Sequence, residues 1–404
     1  MNRNIAIVVV AYNRASSLNR VLSSLNNGNY LDIDTVDLII SCDFSGEDAC
    51  SVLAKEFIWE FGNKKVIVHN ENLGLRKHIL FCGDLVSDYD GLVMLEDDLY
   101  VCPNFYNYIY QADTYFKNNK KIAQISLYTN EIEEFSYSRF MPLNQEADNF
   151  FMQVPSSWGQ YWTKEQWFNF KEAYMSGELE ITQSSLLPDW VINHWPESSW
   201  KKYFYNYIIK NDLYVVYPYK SLSTNFGDAG THHKNQHSHN QSVLDYSISN
   251  FKFLDIEESK VIYDYNYELH KNLLNQFFEK DSFYDVEFDL NGMKDLSKIS
   301  TKYLVSSKTC SKPIKTFGCH LLPQELNIKF HNKGDFYSLG LTVNFDPNIQ
   351  IEKIYNRNLM YIPSITLNKL RNEIKSIYAD SNSYKIGKKI TSFFNPILGK
   401  FKNL

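Results

Sequence analysis

The feature that most constrains the fold is a regular alternation of apolar runs and amphipathic segments over the first hundred residues. Short runs rich in β-branched residues predict buried parallel strands at 5–11, 36–41, 66–69 and 91–95. Helices are predicted after Ser16 or Ser17, over 49–57 and over 74–86. This alternation indicates an α/β fold with a mostly parallel, doubly wound (Rossmann-like) sheet and right-handed crossovers.

Polar clusters follow three of these strands at the point where each strand ends. Tyr12 and Arg14 follow the first strand, Asp43 follows the second, and Glu96-Asp97-Asp98 follow the fourth. Ligands of doubly wound sheets bind beyond the carboxyl ends of the strands. The sequence therefore predicts a binding site at this edge of the sheet.

The composition changes near residue 250, which predicts three regions. We expect a large α/β domain over 1–250, a smaller accessory α+β domain over 251–383, and a basic amphipathic tail over 384–404. Within the second region, 256–280 is predicted to be helical, and 302–306 and 325–330 are predicted strands.

Charge and cysteine content exclude several classes of protein. The chain has 404 residues and a net charge of −6, so no nucleic-acid partner is expected. Its six cysteines form no CxxC pair, which argues against a zinc site and a disulfide framework. The chain has no apolar run of 18 residues, and its first apolar run is too short for a signal peptide. A cytoplasmic protein is expected.

The tail carries five lysines and no acidic residue, interleaved with Phe and Ile. One interpretation is contact with the inner face of the cytoplasmic membrane. The other is a C-terminal helix docked on the protein itself.

Three adjacent carboxylates at the end of a buried strand repel one another and need a cation or basic partners. A hard divalent ion held by one or two carboxylates and by substrate phosphates would meet that need. The alternative is a solvated acidic turn. The position directly after a strand favours a metal site.

Residues 95–106, Leu-Glu-Asp-Asp-Leu-Tyr-Val-Cys-Pro-Asn-Phe-Tyr, resemble the acidic segment of the N-acetylglucosaminyltransferase I family. They equally resemble bacterial GT-A glycosyltransferases of capsule and lipopolysaccharide synthesis. The similarity continues upstream at 11–14 and at Cys42-Asp43, and downstream at the Trp-Gly loop of 155–159 and at 222–233. These segments occur in the same order as in the family. The resemblance covers about residues 5 to 245. It implies a GT-A fold and a metal-dependent transferase that uses a nucleotide sugar.

The resemblance assigns roles to individual residues. Asp98 would hold Mn²⁺ or Mg²⁺, with Asp97 and Glu96 beside the ribose and the sugar, and Asp43 would read the uracil of a UDP-linked donor. Other donor-binding candidates are Tyr12, Arg14, Arg76, His232 and Lys201. Structural alternatives stay open: a surface position for Arg14, a helix cap for Asp43, a solvated helix face for Arg76 and an exposed loop for His232.

The sequence departs from the family after Trp200. Many relatives carry there an Asp that serves as catalytic base, whereas Lys201 and Lys202 follow here. An inverting transferase needs a carboxylate or histidine to accept the proton of the acceptor hydroxyl. The candidates for that base are Glu197, Asp189 and Asp228. Inverting and retaining outcomes both stay open.

The expected function is transfer of a sugar from a nucleotide donor to a glycan or lipid-linked glycan acceptor in bacterial surface-polysaccharide synthesis. The alternative is a non-catalytic nucleotide- or glycan-binding module in which the transferase fold has lost its base.

Overall fold

The computed structural model describes residues 3–30, 33, 35–230, 240–278 and 285–361. The chain divides into two compact units, Met1–Gln350 and Ile351–Leu404. In the described part of the chain, no helix combines the length and apolar character needed to cross a membrane. The predicted tail over 384–404 and His232 lie outside the described residues.

A nine-stranded sheet forms the centre of the first unit. Its strand order is β11-β7-β9-β6-β8-β4-β1-β2-β3. The strands are β1 (Ile5–Ala11), β2 (Leu38–Cys42), β3 (Lys64–Val68), β4 (Gly91–Glu96), β6 (Ile122–Ser126), β7 (Asn149–Met152), β8 (Gln160–Thr163), β9 (Tyr214–Pro218) and β11 (Ile262–Tyr263). A two-stranded ribbon pairs β5 (Leu99–Val101) with β10 (Ser223–Asn225).

Seven α-helices accompany these strands in the described part of the first unit. They are α1 (Ala15–Asn26), α2 (Ala49–Glu56), α3 (Gly74–Asp84), α4 (Phe105–Phe116), α5 (Lys164–Met175), α6 (Asp189–His194) and α7 (Trp200–Lys210). The short helix α8 (Leu326–Lys329) belongs to the C-terminal part of this unit, and α9 (Ile351–Leu359) belongs to the second unit.

Strands β1 to β4 are parallel; β1, β2 and β4 are buried on both faces, whereas the edge strand β3 is partly exposed. In β1, alternate residues Ala6, Val8 and Val10 belong to one hydrophobic cluster, and Ile5, Ile7 and Val9 belong to the other. Helix α1 contributes Leu18, Val21, Leu22 and Leu25 to the second cluster, whereas α3 contributes Ile79 and Cys82 to the first. Helices therefore cover both faces, and the predicted α/β fold with a mostly parallel, doubly wound sheet is confirmed.

The chain reverses its direction across the sheet between β1 and β4. Helix α1 leads from β1 to β2 on one side, and α3 leads back from β3 to β4 on the other side of β1. Strands β1 and β4 are parallel neighbours, with Val10 opposite Glu96. Their carboxyl ends thus form a crevice of the kind in which open α/β sheets bind ligands.

A second, four-stranded sheet follows the central one within the same compact unit. Its order is β12-β13-β15-β14, from β12 (Val286–Asp289), β13 (Tyr303–Ser306), β14 (Lys315–Phe317) and β15 (Tyr337–Leu341). The extra α+β element after residue 250 is confirmed. The boundaries predicted at residues 250 and 383 stay predictions.

Two local predictions in this region are wrong. Residues 325–330, predicted as a strand, contain α8, because the Asn327 amide bonds both backbone groups of Leu321 and fixes a helical turn. Residues 256–280, predicted as helical, contain β11 and a 3-10 helix at Lys271–Phe277. A helix is interrupted there because the Asp264 carboxylate accepts hydrogen bonds from the backbone N–H groups of Asn266 and Glu268.

Candidate functional site

The crevice between β1 and β4 holds an arginine bound by two carboxylates. Arg14 follows β1 and reaches the residues that follow β4. Its Nη2 donates to Asp97 and its Nη1 donates to Asp98 Oδ2 at 3.1 Å. Arg14 therefore neutralises part of the acidic motif. Burial lowers the pKa of the guanidinium, but the charges of Asp97 and Asp98 outweigh it and raise that pKa above its usual range.

One oxygen of Asp98 has no partner among the described residues. Asp98 is 9% exposed, and its Oδ1 is buried without a hydrogen bond. An unpaired buried carboxylate oxygen is costly, and a cation relieves that cost. The described residues contain no group of three or more His, Cys, Asp or Glu side chains arranged as a protein-only metal site. The donor set thus fits an ion held by one carboxylate and completed by substrate oxygens, as is typical of Mg²⁺.

Two carboxyls of the acidic motif, Glu96 and Asp97, have a raised pKa. Burial, then repulsion from Asp98 and Asp97, raises the pKa of Glu96 to about 8, although Arg14 and Lys201 oppose the shift. Burial also raises the pKa of Asp97 to about 6, against the effect of Arg14 and of a backbone hydrogen bond from Tyr12. A divalent ion or a cationic ligand would lower both pKa values by favouring the charged forms.

A second arginine lies beside the same crevice on α1. Arg20 and the hydroxyl of Ser17 both donate to Asp228, the hydroxyl at 2.7 Å. These bonds lower the pKa of Asp228 below its usual range, although burial opposes the shift. The guanidinium carbon of Arg20 lies 3.8 Å from the centre of the Phe226 ring, and its Nε is buried with no partner in the described residues. No sequence motif marked Arg20.

The segment after β10 is held against the acidic motif. The backbone N–H of Phe226 donates to the Asp98 carbonyl at 3.0 Å, and Arg14 Nη1 lies 3.5 Å from the Asp228 carbonyl. A side chain at Gly230 would lie 3.2 Å from Arg14 Nη1. The pairing of β5 with β10 therefore brings the 222–230 segment to the crevice, with Asp228 on its arginine side.

Asp43, at the end of β2, is 6% exposed and joins its loop to the start of α3. Its Oδ1 accepts from the backbone N–H groups of Phe44 and Leu73, both at 2.9 Å, and its Oδ2 accepts from Gly74 at 3.0 Å. Because an ionised carboxylate has about four acceptor positions, one position stays available to a ligand.

Arg76 and Glu197 come together, but through the backbone of Glu197. Arg76 Nη1 donates to the Glu197 carbonyl at 2.7 Å and its guanidinium lies 5.5 Å from the Tyr203 ring centre. The Glu197 side chain is exposed. Arg76 thus connects the start of α3 to the chain before α7.

Lys201 forms an ion pair that the sequence did not reveal. Its Nζ lies 3.1 Å from Glu134 Oε1, and the two side chains are 14% and 20% exposed. The same ammonium lies 4.9 Å from the centre of the Trp195 ring and 5.5 Å from that of Trp158. The positive charge of Lys201 also helps to lower the pKa of Glu96, so the two groups interact electrostatically. We call Glu134, Lys201, Trp158 and Trp195 the Lys201 cluster.

The Trp158 loop is fixed by a glycine and a serine. Ser223 Oγ donates to the Trp158 carbonyl at 2.6 Å. Gly159 has a φ of 91°, and a Cβ there would lie 2.8 Å from Ser223 Oγ. The Trp-Gly pair therefore places one aromatic wall of the Lys201 cluster next to β10.

Asp189 lies elsewhere, at the start of α6. Its Oδ1 pairs with Lys298 Nζ at 3.0 Å, and its side chain is 54% exposed. Of the three sequence-predicted bases, the structure brings only Asp228 into contact with the residues around the acidic motif. The catalytic roles of Asp189, Asp228 and Glu197 stay predictions.

With this geometry established, comparison with known proteins defines the class. Residues 6–160 match the model of the family described as Glycosyl transferase family 2. The matched segment contains β1, β4 and the acidic motif. Residues 6–160 are therefore similar to family 2 glycosyl transferases, which supports the predicted α/β fold of the GT-A type and is consistent with the predicted glycosyltransferase. No curated protein sequence matches the chain significantly.

Solved structures give distant similarities. One is a mannosyltransferase from Pyrobaculum calidifontis in complex with GDP-Man and Mn²⁺, at 11% identity and a TM-score of 0.29, covering 41% of this chain and 46% of that one. Another is residues 1–349 of TarS from S. aureus in complex with UDP-GlcNAc, at 11% identity and a TM-score of 0.37, covering 57% and 60%. The chain spans less than two thirds of either neighbour.

Proposed function

We propose that this protein is a metal-dependent glycosyltransferase that moves a sugar from a UDP-linked donor to a glycan acceptor. The observation that carries the proposal is the unpaired, buried Oδ1 of Asp98 at the carboxyl end of β4, inside the segment that is similar to family 2 glycosyl transferases. Asp98 would hold Mn²⁺ or Mg²⁺. When bound, the ion supplies positive charge where negative charge develops on the departing diphosphate.

The chain's own cations complete the donor site. Arg14 neutralises Asp97 and Asp98 in the free protein and is positioned to exchange part of that contact for phosphate oxygens. Arg20 has a buried, unpartnered Nε beside the same segment. Arginine forms bidentate contacts with phosphate, so both side chains suit a diphosphate.

The remaining acceptor position of Asp43 supports uracil as the base. The N3–H of uracil is a donor, and a carboxylate is an acceptor. Because three backbone N–H groups hold the carboxylate in place, Asp43 would meet the base without reorganisation.

Glu134 is the base that we favour for an inverting reaction. Its carboxylate would accept the proton of the acceptor hydroxyl while the oxygen bonds to the anomeric carbon and the bond from that carbon to the diphosphate breaks. Lys201 pairs with Glu134 at 3.1 Å, and its charge also acts on Glu96 of the acidic motif. Asp228 fits this role less well, because its depressed pKa makes it a weaker base.

The acceptor and the cellular role rest on sequence. The resemblance of residues 95–106 to the N-acetylglucosaminyltransferase I family and to capsule and lipopolysaccharide transferases supports a surface-polysaccharide acceptor. The five lysines and the aromatic residues of 384–404 support contact with the cytoplasmic face of a membrane, where lipid-linked acceptors reside.

Donor hydrolysis tests the proposal. The full chain is incubated with UDP-, GDP- and CDP-sugars with and without Mn²⁺, and nucleotide release and thermal stability are measured. We expect the protein to release UDP from one of the UDP-sugars, and to do so only when Mn²⁺ is present. UDP together with Mn²⁺ should raise the unfolding temperature more than either alone. A larger shift with GDP or CDP would contradict the role of Asp43. Tight nucleotide binding without turnover of any donor, with and without acceptors, would favour the non-catalytic binding module.

A further inference from the structure

A groove beside α6 contains polar groups that the proposed donor site does not use. It encloses about 170 Å³ and is lined by Phe135, Trp190, His194, Asn266, Met293 and Ile349, among others. We call it the α6 groove. A smaller pocket shares Asp189, Asn266 and Met293 with it, so the depression continues past Lys298.

The side chain of Asn266 faces this groove without a partner in the described residues. Asn266 is 7% exposed and lines both pockets, while only its backbone N–H is bonded, to Asp264 Oδ1 at 2.7 Å. Its amide offers donors and an acceptor that no described group uses. Because the amide lines the groove with its hydrogen-bonding positions unused by described residues, it is available to a ligand that enters there.

The turn that presents Asn266 is rigidly supported. Asp264 is fixed by Lys294, whose Nζ lies 2.6 Å from Asp264 Oδ2 and 2.7 Å from Glu287 Oε1. The next residue, Tyr267, has a φ of 60°, which a bulky side chain adopts at a cost. The backbone turn that carries Asn266 is therefore fixed, whereas its amide has no hydrogen-bond partner among the described residues.

Trp190 forms an aromatic wall of the groove. One ring face is covered by His194, with ring centres 3.9 Å apart and planes 19° apart. The indole N–H has no partner among the described residues, so it adds a second donor near Asn266. The nearby charges of Asp189 and Lys298 pair with each other at 3.0 Å. An aromatic surface, unpaired amide and indole donors, and no excess charge suit a neutral sugar ring, which presents C–H faces and hydroxyls.

The groove adjoins the Lys201 cluster from two directions. Phe135 follows Glu134 directly, and α6 leads into Trp195, whose ring lies 4.9 Å from Lys201 Nζ. Lys202 fixes this junction by donating to the carbonyls of Ile192 and Trp195 at 2.9 and 3.0 Å. The groove and the Lys201 cluster are therefore formed by neighbouring residues of the same two chain segments.

We infer that the α6 groove binds a neutral sugar unit of the acceptor glycan, on the acceptor side of Glu134. This inference rests on the proposed function for the identity of the occupant. It assigns Trp190 as the stacking surface and Asn266 as the hydrogen-bonding group.

Binding and turnover are measured separately on the full chain. Binding uses an array of neutral and acidic oligosaccharides with UDP and Mn²⁺ present, followed by titration with the best neutral binder. Trp190→Ala and Asn266→Ser should each weaken that Kd about tenfold and raise the acceptor KM, while donor hydrolysis stays unchanged. Tyr246→Ala, which removes an aromatic side chain that is 79% exposed outside the groove, should change neither.

Each result bears on one of the two proposals. Unchanged acceptor binding in folded Trp190→Ala and Asn266→Ser proteins, no glycan binding by the wild type, or preference for acidic glycans would overturn the groove assignment. Donor hydrolysis could still succeed in each case, leaving the proposed function in place. Conversely, groove-dependent glycan binding without hydrolysis of any donor would refute the transferase and retain the groove. Circular dichroism and thermal unfolding verify that each variant is folded. If Trp190→Ala unfolds, Trp190→Phe is measured in its place; it keeps an aromatic ring and should retain most of the glycan binding.

Discussion

The replacement of Asp98 by asparagine separates metal binding from folding. The substitution keeps the shape of the side chain and removes one negative charge. The amide oxygen can still accept from Arg14 Nη1, which donates to Asp98 Oδ2 at 3.1 Å in the wild type. Asp97 also keeps its own bond to Arg14. The variant should therefore fold normally and lose the one unpaired carboxylate oxygen of the crevice.

The magnitude follows from these contacts. Asp98→Asn weakens one ion pair but also removes repulsion from Glu96, whose pKa Asp98 raises. We expect a net stability change of about 1 kcal/mol or less, which corresponds to roughly 2–4 °C in a domain of about 150–250 residues. The ligand effect is larger. At about 100 times its Kd, UDP with Mn²⁺ should stabilise the wild type by about 2.7 kcal/mol, and the variant should lose most of that gain.

Turnover should fall further than binding. Loss of the ion removes charge stabilisation worth several kcal/mol, so a decrease of about 10³-fold, or ~4 kcal/mol, is expected in the rate of transfer. The matched control is Asp84→Asn, which removes a carboxylate paired with Lys171 outside the crevice. It should leave both metal response and turnover unchanged. Full activity and an unchanged Mn²⁺ titration in Asp98→Asn would refute the metal assignment.

Three further predictions concern pH, the base and the tail. Because burial raises the pKa of Glu96 from 4.5 to about 8, the folded state retains a proton that the unfolded chain releases. Stability of the metal-free protein should thus fall as pH rises from about 4.5 to about 8. Glu96→Gln should flatten that slope in thermal unfolding, and an unchanged slope would contradict the shift. Glu134→Gln should lower the initial rate of sugar transfer by about 10²–10⁴-fold. The affinity for the donor, measured by UDP titration, should stay unchanged, and a normal transfer rate would exclude Glu134 as the base. Deleting residues 384–404 should abolish the salt-sensitive co-sedimentation of the protein with anionic liposomes, while donor hydrolysis stays unchanged. Equal sedimentation of the full-length and truncated proteins would show that the tail is not a membrane contact.

The parallel half of the sheet was predictable because its signal is local. Strands buried on both faces are continuous apolar runs, and β1 spans the predicted residues 5–11. The edge strand β3 begins at Lys64 rather than at 66, because its more exposed positions tolerate polar side chains. The second half of the chain has weaker local sequence patterns, because its segments are held in place by hydrogen bonds between residues far apart in the sequence. The Asn149 amide, for example, bonds both backbone groups of Leu254, and nothing near either residue indicates that contact.

The same distinction applies to the candidate site. The acidic motif is one continuous segment, so the sequence alone predicted its position at the end of β4, while its role in metal binding stays a prediction. The Lys201 cluster is assembled from separate elements, and Glu134 lies 67 residues from its partner. Arg20 was missed for a related reason, because its bond to Asp228 crosses 208 residues. Side chains that meet through tertiary packing leave no spacing pattern.

The departure at Lys201 therefore has a structural counterpart. An aspartate in place of Lys201 would add a further negative charge to those of Glu134 and the acidic motif. Glu96 already resists ionisation, because its pKa is raised to about 8. Lysine instead neutralises Glu134 at 3.1 Å and contributes positive charge to the field at Glu96. The side chain that looked in the sequence like the loss of a base thus orients a different carboxylate next to the same crevice. If Glu134 is the base, as we propose, Glu134→Gln will lose transfer activity; a non-catalytic binding module would have no transfer activity to lose.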